Sequence, residues 1–94
     1  MTDTVRHEPE QSRYVFERDG ERLGLTNYRV TGSGVHITHT EIDPSLRGQG
    51  LGGIMVRGVL DDLRSRTEDR VVPICPFVDR WIDLHPDYQD LLTR

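Results

Sequence analysis

A glycine-rich turn is the part of the chain whose residue types most clearly indicate chemistry. Four glycines, Gly48, Gly50, Gly52 and Gly53, stand within six positions, between a strand-like run and a helix-like run. Glycine permits a positive φ and lets the backbone approach a ligand without a Cβ clash. The first N–H groups of the following helix lack backbone partners and lie at the positive end of its dipole, so they favour an anion. With Arg47 beside it, this turn is predicted to hold a phosphate group.

Three kinds of glycine loop compete for this stretch. A P-loop requires Lys and then Ser or Thr after its last glycine, whereas Ile54 and Met55 stand there. The dinucleotide fingerprint G-x-G-x-x-G matches residues 48–53, but it normally follows an apolar buried strand, and the preceding run here is polar. The third pattern, R-x-x-G-x-G over residues 47–52, follows a Pro-x-x-Arg step at the end of a strand. This third pattern therefore fits its surroundings best.

Four side chains near the predicted phosphate turn are candidates for proton transfer or nucleophilic chemistry. Glu41 ends the preceding strand with His39 two residues earlier, so the carboxylate could accept a proton directly or through water. A solvated strand-end pair is the alternative for these two residues. Cys75 begins a helix, where the dipole lowers the pKa of a thiol, although buried cysteines are more often inert. Tyr88 has three possible roles, as an acid, as a substrate-lining group or as an anchor of the C-terminus.

The composition is that of one small domain. The chain has 94 residues, of which 34% are hydrophobic and 30% charged, as in ordinary soluble domains. A net charge of −4 gives no reason to expect nucleic acid as a partner. One cysteine cannot form an internal disulfide, and no Cys/His set has zinc-ligand spacing, so no metal site is expected. No run resembles a membrane span or a signal peptide, so we expect a cytoplasmic protein with no membrane partner. We also expect a monomer or a weak homodimer.

The chain is predicted to contain a flexible leader followed by a single domain. Residues 1–12 are polar and show no hydrophobic period, so they are assigned to the leader, and residues 13–94 to the domain. Within the domain, three apolar runs are separated by the turn signals Asp19-Gly20 and residues 31–34. Short turns between extended runs predict an antiparallel meander of three strands.

The elements around the glycine turn are predicted to complete a mixed sheet. Alternation along residues 35–42 would put one set of side chains on the same face, namely Val35, Ile37, His39 and Glu41. Apolar residues recur at helical spacing from Leu51 to Arg66. After this crossover, residues 71–75 should form a parallel strand, and Pro73 should splay it from its neighbour because proline cannot donate to the ladder. A last helix begins at Pro76. The predicted fold is α+β, mostly antiparallel with one splayed parallel pair, with a tendency towards three α/β/α layers.

The order of these elements resembles the GCN5-related N-acetyltransferase superfamily. The motifs that carry the resemblance are Thr-His-Thr-Glu at residues 38–41, the turn at 47–52, Cys-Pro-Phe-Val at 75–78, and His85-Pro86-x-Tyr88. The chain is similar in particular to the small group of minimal acetyltransferase-like proteins, because a short turn replaces the two helices that usually separate the first strands. The resemblance implies an acyl-CoA N-acyltransferase-like fold truncated at its N-terminal side.

The same resemblance implies acetyl-CoA or coenzyme A as ligand and an unidentified primary amine as acceptor, attacking the thioester directly. It implies that the turn binds the pyrophosphate and the strand end binds the pantetheine arm, through Thr40, Ile42, Arg47, Gly48, Gln49, Gly50, Leu51, Gly52 and Gly53. The position of the superfamily's usual acid, a tyrosine, falls here on Ile82. The catalytic candidates are therefore Glu41, Cys75, Tyr88 and His39. The alternative is a module that binds acetyl-CoA without turnover.

Overall fold

The structure, a computed structural model, describes residues 2–94, which form a five-stranded sheet and two helices. The strands are β1 (Asp3–Glu8), β2 (Arg13–Arg18), β3 (Glu21–Thr31), β4 (Gly34–Ile42) and β5 (Val71–Pro73), and the helices are α1 (Leu51–Arg66) and α2 (Pro76–Asp83). Short 3₁₀ segments occupy Pro9–Gln11, Pro44–Leu46 and Pro86–Leu92. The strands are ordered β1-β2-β3-β4-β5, the first four antiparallel and β5 parallel to β4, as the predicted α+β fold requires. No helix in the described range is long and apolar enough to cross a membrane.

The N-terminal segment forms a strand, which corrects the prediction of a flexible leader. β1 pairs with β2 along its whole length, from Asp3 opposite Arg18 to Glu8 opposite Arg13. Ion pairs link both ends, with 2.6 Å from Arg18 Nε to Asp3 Oδ1 and 2.6 Å from Arg13 Nε to Glu8 Oε1. Charged side chains are common on edge strands because they discourage pairing with another chain. The sheet thus has four antiparallel strands instead of the three predicted.

One hydrophobic core lies between the sheet and the two helices. It includes Tyr14, Phe16 and Ile37 from the strands, Met55 and Leu60 from α1, and Val78, Trp81 and Ile82 from α2. Gly58 marks the crossing of α1 over β1, because a Cβ at this position would stand only 2.5 Å from Val5 Cγ2. This close approach explains a glycine in the middle of a helix, where it costs about 1 kcal/mol relative to alanine.

The opposite face of the sheet is charged and carries neither of the two helices. Arg6 forms ion pairs there with Glu8 and with Glu17, the latter at 3.3 Å from Nη2 to Oε2. Val15 is buried on this face between its cross-strand partners Arg6 and Leu25. An outer helix would need an apolar surface on which to bury its own apolar stripe. The described residues therefore form two layers, which corrects the predicted tendency towards three.

β4 contains a β-bulge at Thr38. The residues on either side, Ile37 and His39, pair with two consecutive residues of β3, 28 and 27, so Thr38 has no partner across the strands. An extra residue in one strand shifts the alternation of its side chains by one position from that point on. The alternation predicted for residues 35–42 therefore holds only as far as the bulge.

The bulge separates side chains that were predicted to share a face. Val35 and Ile37 are 2% and 1% exposed and face the core. Beyond the bulge, Thr40 takes the core-facing position, whereas His39 and Glu41 are exposed on the charged face. The prediction that these two residues lie on the same face as Val35 is wrong, because it extended a strict alternation through a bulge.

Candidate functional site

β4 and β5 separate after three residue pairs, and a gap opens between them. The last parallel pair is Ile37 with Pro73. Proline has no N–H to donate to the ladder, and the next N–H, from Ile74, turns back to the carbonyl of Val72 at 3.0 Å. β5 therefore ends while β4 continues to Ile42. The predicted splaying of the parallel pair is confirmed.

The free edge of β4 offers backbone groups to this gap. The N–H of Asp43 donates to the carbonyl of Leu23 in β3 at 2.8 Å. Because backbone groups alternate in direction along an antiparallel strand, those of Glu41 also point to β3, and those of Thr40 and Ile42 point into the gap. Such an edge can hydrogen-bond an extended ligand arm in the way that it would bond another strand.

The glycine-rich turn lies at the carboxyl end of β4 and leads into α1. Gly48 and Gly50 have φ values of +86° and +75°, in the left-handed region that strains residues with a Cβ. An added Cβ at either position would meet no atom within 4 Å, so the backbone conformation is what requires glycine. Gly50 is the N-cap of α1 and provides no side-chain cap. The first-turn N–H groups are thus available to an anion.

The other two glycines of the turn have a packing role that sequence analysis did not identify. A Cβ on Gly52 would lie 2.9 Å from Phe77 Cζ, and a Cβ on Gly53 would lie 3.2 Å from Trp81 Nε1. Both glycines therefore let α2 approach the first turn of α1. This contact joins the glycine turn to the helix that begins after Cys75.

The strand end, the glycine turn and α2 enclose a groove of about 520 Å³, a size typical of small-molecule sites, which span roughly 300–1,000 Å³. All of the predicted cofactor-binding residues except Gln49 line this groove, together with His39, Glu41 and the ring of Phe77. Helical spacing assigns Phe77 to the core, yet it is 47% exposed. Within residues 2–94, no group of His, Cys, Asp or Glu is arranged to hold a metal ion. The groove residues fit an extended phosphate-containing ligand.

Cys75 lies where β4 and β5 diverge and is the N-cap residue of α2. Its N–H donates to the carbonyl of Ile37 at 2.9 Å, its side chain is buried, and its Sγ is 3.5 Å from Thr40 Oγ1. Burial acts to raise the pKa of the Cys75 thiol, but hydrogen bonding from Thr40 and from the N–H groups of Val78 and Phe77 outweighs it. The pKa therefore lies below its ordinary value, which favours the reactive thiolate.

His39 and Glu41 form a pair at the rim of the groove. Their Nε2 and Oε1 atoms are 3.1 Å apart, and their side chains are 54% and 59% exposed. Both residues line the groove with part of their surface, but their side chains belong to the charged face. A molecule that approaches from that side can reach both of them.

Family comparison agrees with this geometry. Residues 13–91 match the family model described as GCN5-related N-acetyl-transferase. The chain belongs to the GCN5-related N-acetyltransferase family. Members of this family typically use acetyl-CoA. A comparison with curated proteins found no match.

The fold of this GCN5-related domain is also similar to a solved structure. The crystal structure of ribosomal-protein-alanine N-acetyltransferase from Brucella melitensis biovar Abortus 2308 aligns with a TM-score of 0.58 and 16% sequence identity. The alignment covers 80% of this chain and 59% of that one. At this identity the likeness shows the fold, and the chain spans little more than half of the longer protein.

In this acetyltransferase-family protein, Tyr88 lies away from the groove. Its hydroxyl donates to Asp61 Oδ1 at 2.7 Å and accepts from Arg57 Nη1 at 3.3 Å. Burial and the bond to Asp61 raise the pKa of the Tyr88 hydroxyl. The ring also packs edge-on against Trp81, with centroids 5.1 Å apart. The structure does not bring Tyr88 together with the other candidates, and these contacts are those of an anchor for the C-terminal segment.

Thr26 is a residue next to the site that the sequence reasoning missed. It lies opposite Thr40 in the β3–β4 register and is 1% exposed. A threonine is common in strands, so its type alone carries no functional signal. Its position beside the site can be recognised only from the register of β3 with β4, which pairs Thr26 with Thr40 on the core face.

Proposed function

We propose that this protein is an acetyl-CoA-dependent N-acetyltransferase that transfers the acetyl group directly to a primary amine. The observation that carries the proposal is the groove that joins the glycine turn to the free edge of β4 as far as Thr40. Cys75 does not line this groove itself, but its buried Sγ lies 3.5 Å from Oγ1 of Thr40, which does. Coenzyme A carries a pyrophosphate in its middle and a thiol at one end. Its binding site therefore needs an anion site followed by an extended slot. The glycine turn and the free edge of β4 have this arrangement.

Specific residues are assigned to the cofactor. The N–H groups of the turn and of the first turn of α1 would hold the pyrophosphate, with Arg47 as the countercharge. The backbone groups of Thr40 and Ile42 that face the gap would bond the pantetheine arm. The positive φ values at Gly48 and Gly50 support this assignment, because they give a backbone without side chains where the phosphates would approach. When bound, acetyl-CoA supplies an activated acetyl thioester.

Direct transfer requires a neutral amine and a proton for the departing thiolate. We assign Glu41 as the group that takes the proton from the ammonium, with His39 at 3.1 Å as its partner. As the new bond from nitrogen to the acetyl carbon forms, the bond from that carbon to the coenzyme A sulfur breaks. The sulfur leaves with the electron pair and takes up a proton, for which Cys75 is the nearby donor.

Cys75 has a second chemical role that fits its lowered pKa. Its thiolate would attack the acetyl carbon, so that a bond to Sγ forms, the bond to the coenzyme A sulfur breaks, and the coenzyme leaves as thiolate and takes up a proton. The amine would then attack the acetyl-cysteine and regenerate the thiol. Both roles need the thiol beside the thioester, and the product of an exposure to acetyl-CoA distinguishes them.

The acceptor is proposed to be an extended or macromolecular amine. The charged face has no helix over it among residues 2–94, and His39 and Glu41 are more than half exposed. A concave surface of about 460 Å³ adjoins Glu41, between β3 and the segment that follows β4, and it is open to solvent. An open site of this kind suits a peptide or a protein lysine better than a small amine that must be enclosed.

The same openness favours a second candidate, a module that binds acetyl-CoA without turnover. Tyr88, the remaining acid candidate, is engaged with Asp61 and does not line the groove. A module of this kind would keep the cofactor groove and lack an ordered acceptor site.

Release of coenzyme A during incubation with a panel of amines tests the proposal. The panel should contain small amines, lysine peptides and a lysine-rich protein. All twelve basic residues of this chain are arginine, so its own side chains offer no amine that would produce background release. Amine-dependent release that is absent from Gly50→Val supports the enzyme. Stabilisation by coenzyme A without release supports the binding module, and the absence of both contradicts the two proposals.

A further inference from the structure

Thr26 carries a buried hydroxyl group without a partner. The residue is 1% exposed, and its Oγ1 makes no hydrogen bond within residues 2–94. A buried hydroxyl left without a hydrogen bond destabilises the folded state. Valine would fill the same space without this cost, so the hydroxyl calls for an explanation at this position.

Thr26 faces the residue that contacts Cys75. It is the register partner of Thr40, and because the backbone groups of Thr40 point into the gap, the two form a non-hydrogen-bonded pair. In such pairs the side chains approach most closely, with Cα atoms about 4.5 Å apart. Thr40 Oγ1 in turn lies 3.5 Å from Cys75 Sγ. Thr26, Thr40 and Cys75 thus form a row across the core face of the sheet, which we call the threonine row.

In the threonine row, hydrogen bonds can be donated in one direction, from Thr26 to Thr40 and from Thr40 to Cys75. Thr40 has a single hydroxyl proton, and when that proton is donated to the thiolate, its oxygen is left with lone pairs that can accept. Thr26, the register partner of Thr40, carries a hydroxyl proton that no other group within residues 2–94 accepts. Tyr14, the other cross-strand neighbour of Thr26, donates its hydroxyl to Asp62 Oδ2 at 2.6 Å and makes no hydrogen bond with Thr26 Oγ1.

We propose that Thr26 is a positioning residue for Cys75, whose hydroxyl donates to Thr40 Oγ1 and so holds Thr40 as a donor to the thiolate. The inference rests on the proposed function only in giving the thiol a chemical role. The effect itself concerns the ionisation of Cys75, which can be measured without acetyl-CoA or an acceptor.

Other charged groups near Cys75 lie outside the threonine row. On β4, His39 and Glu41 point to the charged face. On α1, Arg57 lies over the ring of Trp81 at 5.3 Å from its centroid. On α2, Asp79 and Arg80 are exposed. The elements β3 and β5 bring no titratable side chain to this point, so the row contains the neutral groups that can bond the thiolate.

The rate of Cys75 alkylation by iodoacetamide across a pH series tests the proposal in the whole protein. Thr26→Val keeps the shape and removes the hydroxyl, whereas Thr26→Ser keeps the hydroxyl. We expect the curve of alkylation rate against pH to move to higher pH in Thr26→Val. Below the midpoint of the curve, alkylation should be roughly two- to tenfold slower, because one net hydrogen bond changes an equilibrium by about this factor. Thr26→Ser should follow the parent protein, and Thr40→Val should move at least as far as Thr26→Val.

Three controls accompany this measurement. Cys75→Ser gives the alkylation background, and repetition in a His39→Gln background removes the imidazole at the rim of the groove. Thermal unfolding should show that Thr26→Val is folded at the temperature of the assay, because valine fills the space of the threonine side chain. If Thr26→Val does not fold, Thr26→Ala removes the same hydroxyl and is expected to move the profile in the same direction.

A profile for Thr26→Val that overlays that of the parent protein would overturn the proposal. An equal displacement by Thr26→Ser would also overturn it, since the effect would then come from packing. Failure of the proposed function has a different signature. Coenzyme A release would be absent with every amine, while the displacement by Thr26→Val and its rescue by serine would remain.

Discussion

The two halves of β4 have the same direction and very different surroundings. Residues 35–37 are paired with β3 on one side and β5 on the other, and Ile37 is 1% exposed. Residues 39–42 are paired with β3 alone, and their second edge faces the gap. Two local features separate the halves, the bulge at Thr38 and the loss of a ladder donor at Pro73.

The comparison shows how a short chain can make a ligand slot without extra elements. The paired half fixes Cys75 through the bond from its N–H to the carbonyl of Ile37. The open half has no strand partner on its second edge. Unpaired edges invite association with other strands, and a bound pantetheine arm would cover this one. The paired half thus fixes the position of Cys75, and the open half is proposed to bind the ligand.

The largest expected effect is on stability, and it comes from the paired half. Ile37→Ala removes a fully buried side chain and should lower the free energy of unfolding by about 2–5 kcal/mol. The matched variant in the open half, Ile42→Ala, truncates a half-buried side chain and should cost less. Urea unfolding followed by the fluorescence of the single tryptophan measures both. Equal losses would show that the two halves do not differ in packing.

The next effect concerns the cofactor and should appear at the glycine turn. At a hundredfold excess over Kd, coenzyme A should stabilise the parent protein by roughly 2.7 kcal/mol. Gly50→Val forces a side chain into a φ of +75° and should abolish this gain. Gly20→Val is the control, because Gly20 has a similar φ of +84° in the β2–β3 turn, outside the groove. Loss of the thermal shift in both variants, or its absence in the parent protein, would count against the assigned site.

A smaller effect is expected for Cys75, at the junction of the two halves. Cys75→Ala should lower kcat by about tenfold or more while the affinity for coenzyme A changes little, as for a group used in the transition state. The mass of the intact protein after exposure to acetyl-CoA gives a second measurement. An acetyl group that is present on the parent protein and absent from Cys75→Ala indicates the covalent role. Unchanged kcat together with an unmodified thiol would reduce Cys75 to packing.

The smallest effect on stability should come from the exposed pair of the open half. Glu41→Gln should change the free energy of unfolding by less than about 0.5 kcal/mol, because an ion pair between exposed side chains contributes little. Its rate profile should nevertheless move to higher pH, since without the carboxylate more of the amine must lose its proton to solvent. His39→Gln serves as the comparison for the partner. A profile that stays in place would exclude Glu41 as the base.

Short-range chemistry in the sequence determined the glycine turn, both helices and the end of β5. The turn predicts positive φ at Gly48 and Gly50, and both adopt it because glycine has no Cβ to clash with the backbone. α1 occupies Leu51–Arg66, where apolar residues recur at helical spacing. Pro73 ends the pairing because its nitrogen carries no hydrogen, and Pro76 starts α2 for the same reason. Each of these outcomes depends on a few neighbouring residues.

Only the tertiary structure decided the rest of the site and the N-terminal strand. β1 is polar and becomes a strand because it pairs with β2 and packs Val5 over Gly58, and strand preference depends on such neighbours. The bulge at Thr38 arises from the pairing of β4 with β3, and it alone turns His39 and Glu41 to the charged face. These outcomes depend on contacts between residues far apart in the chain, and local patterns carry no record of such contacts.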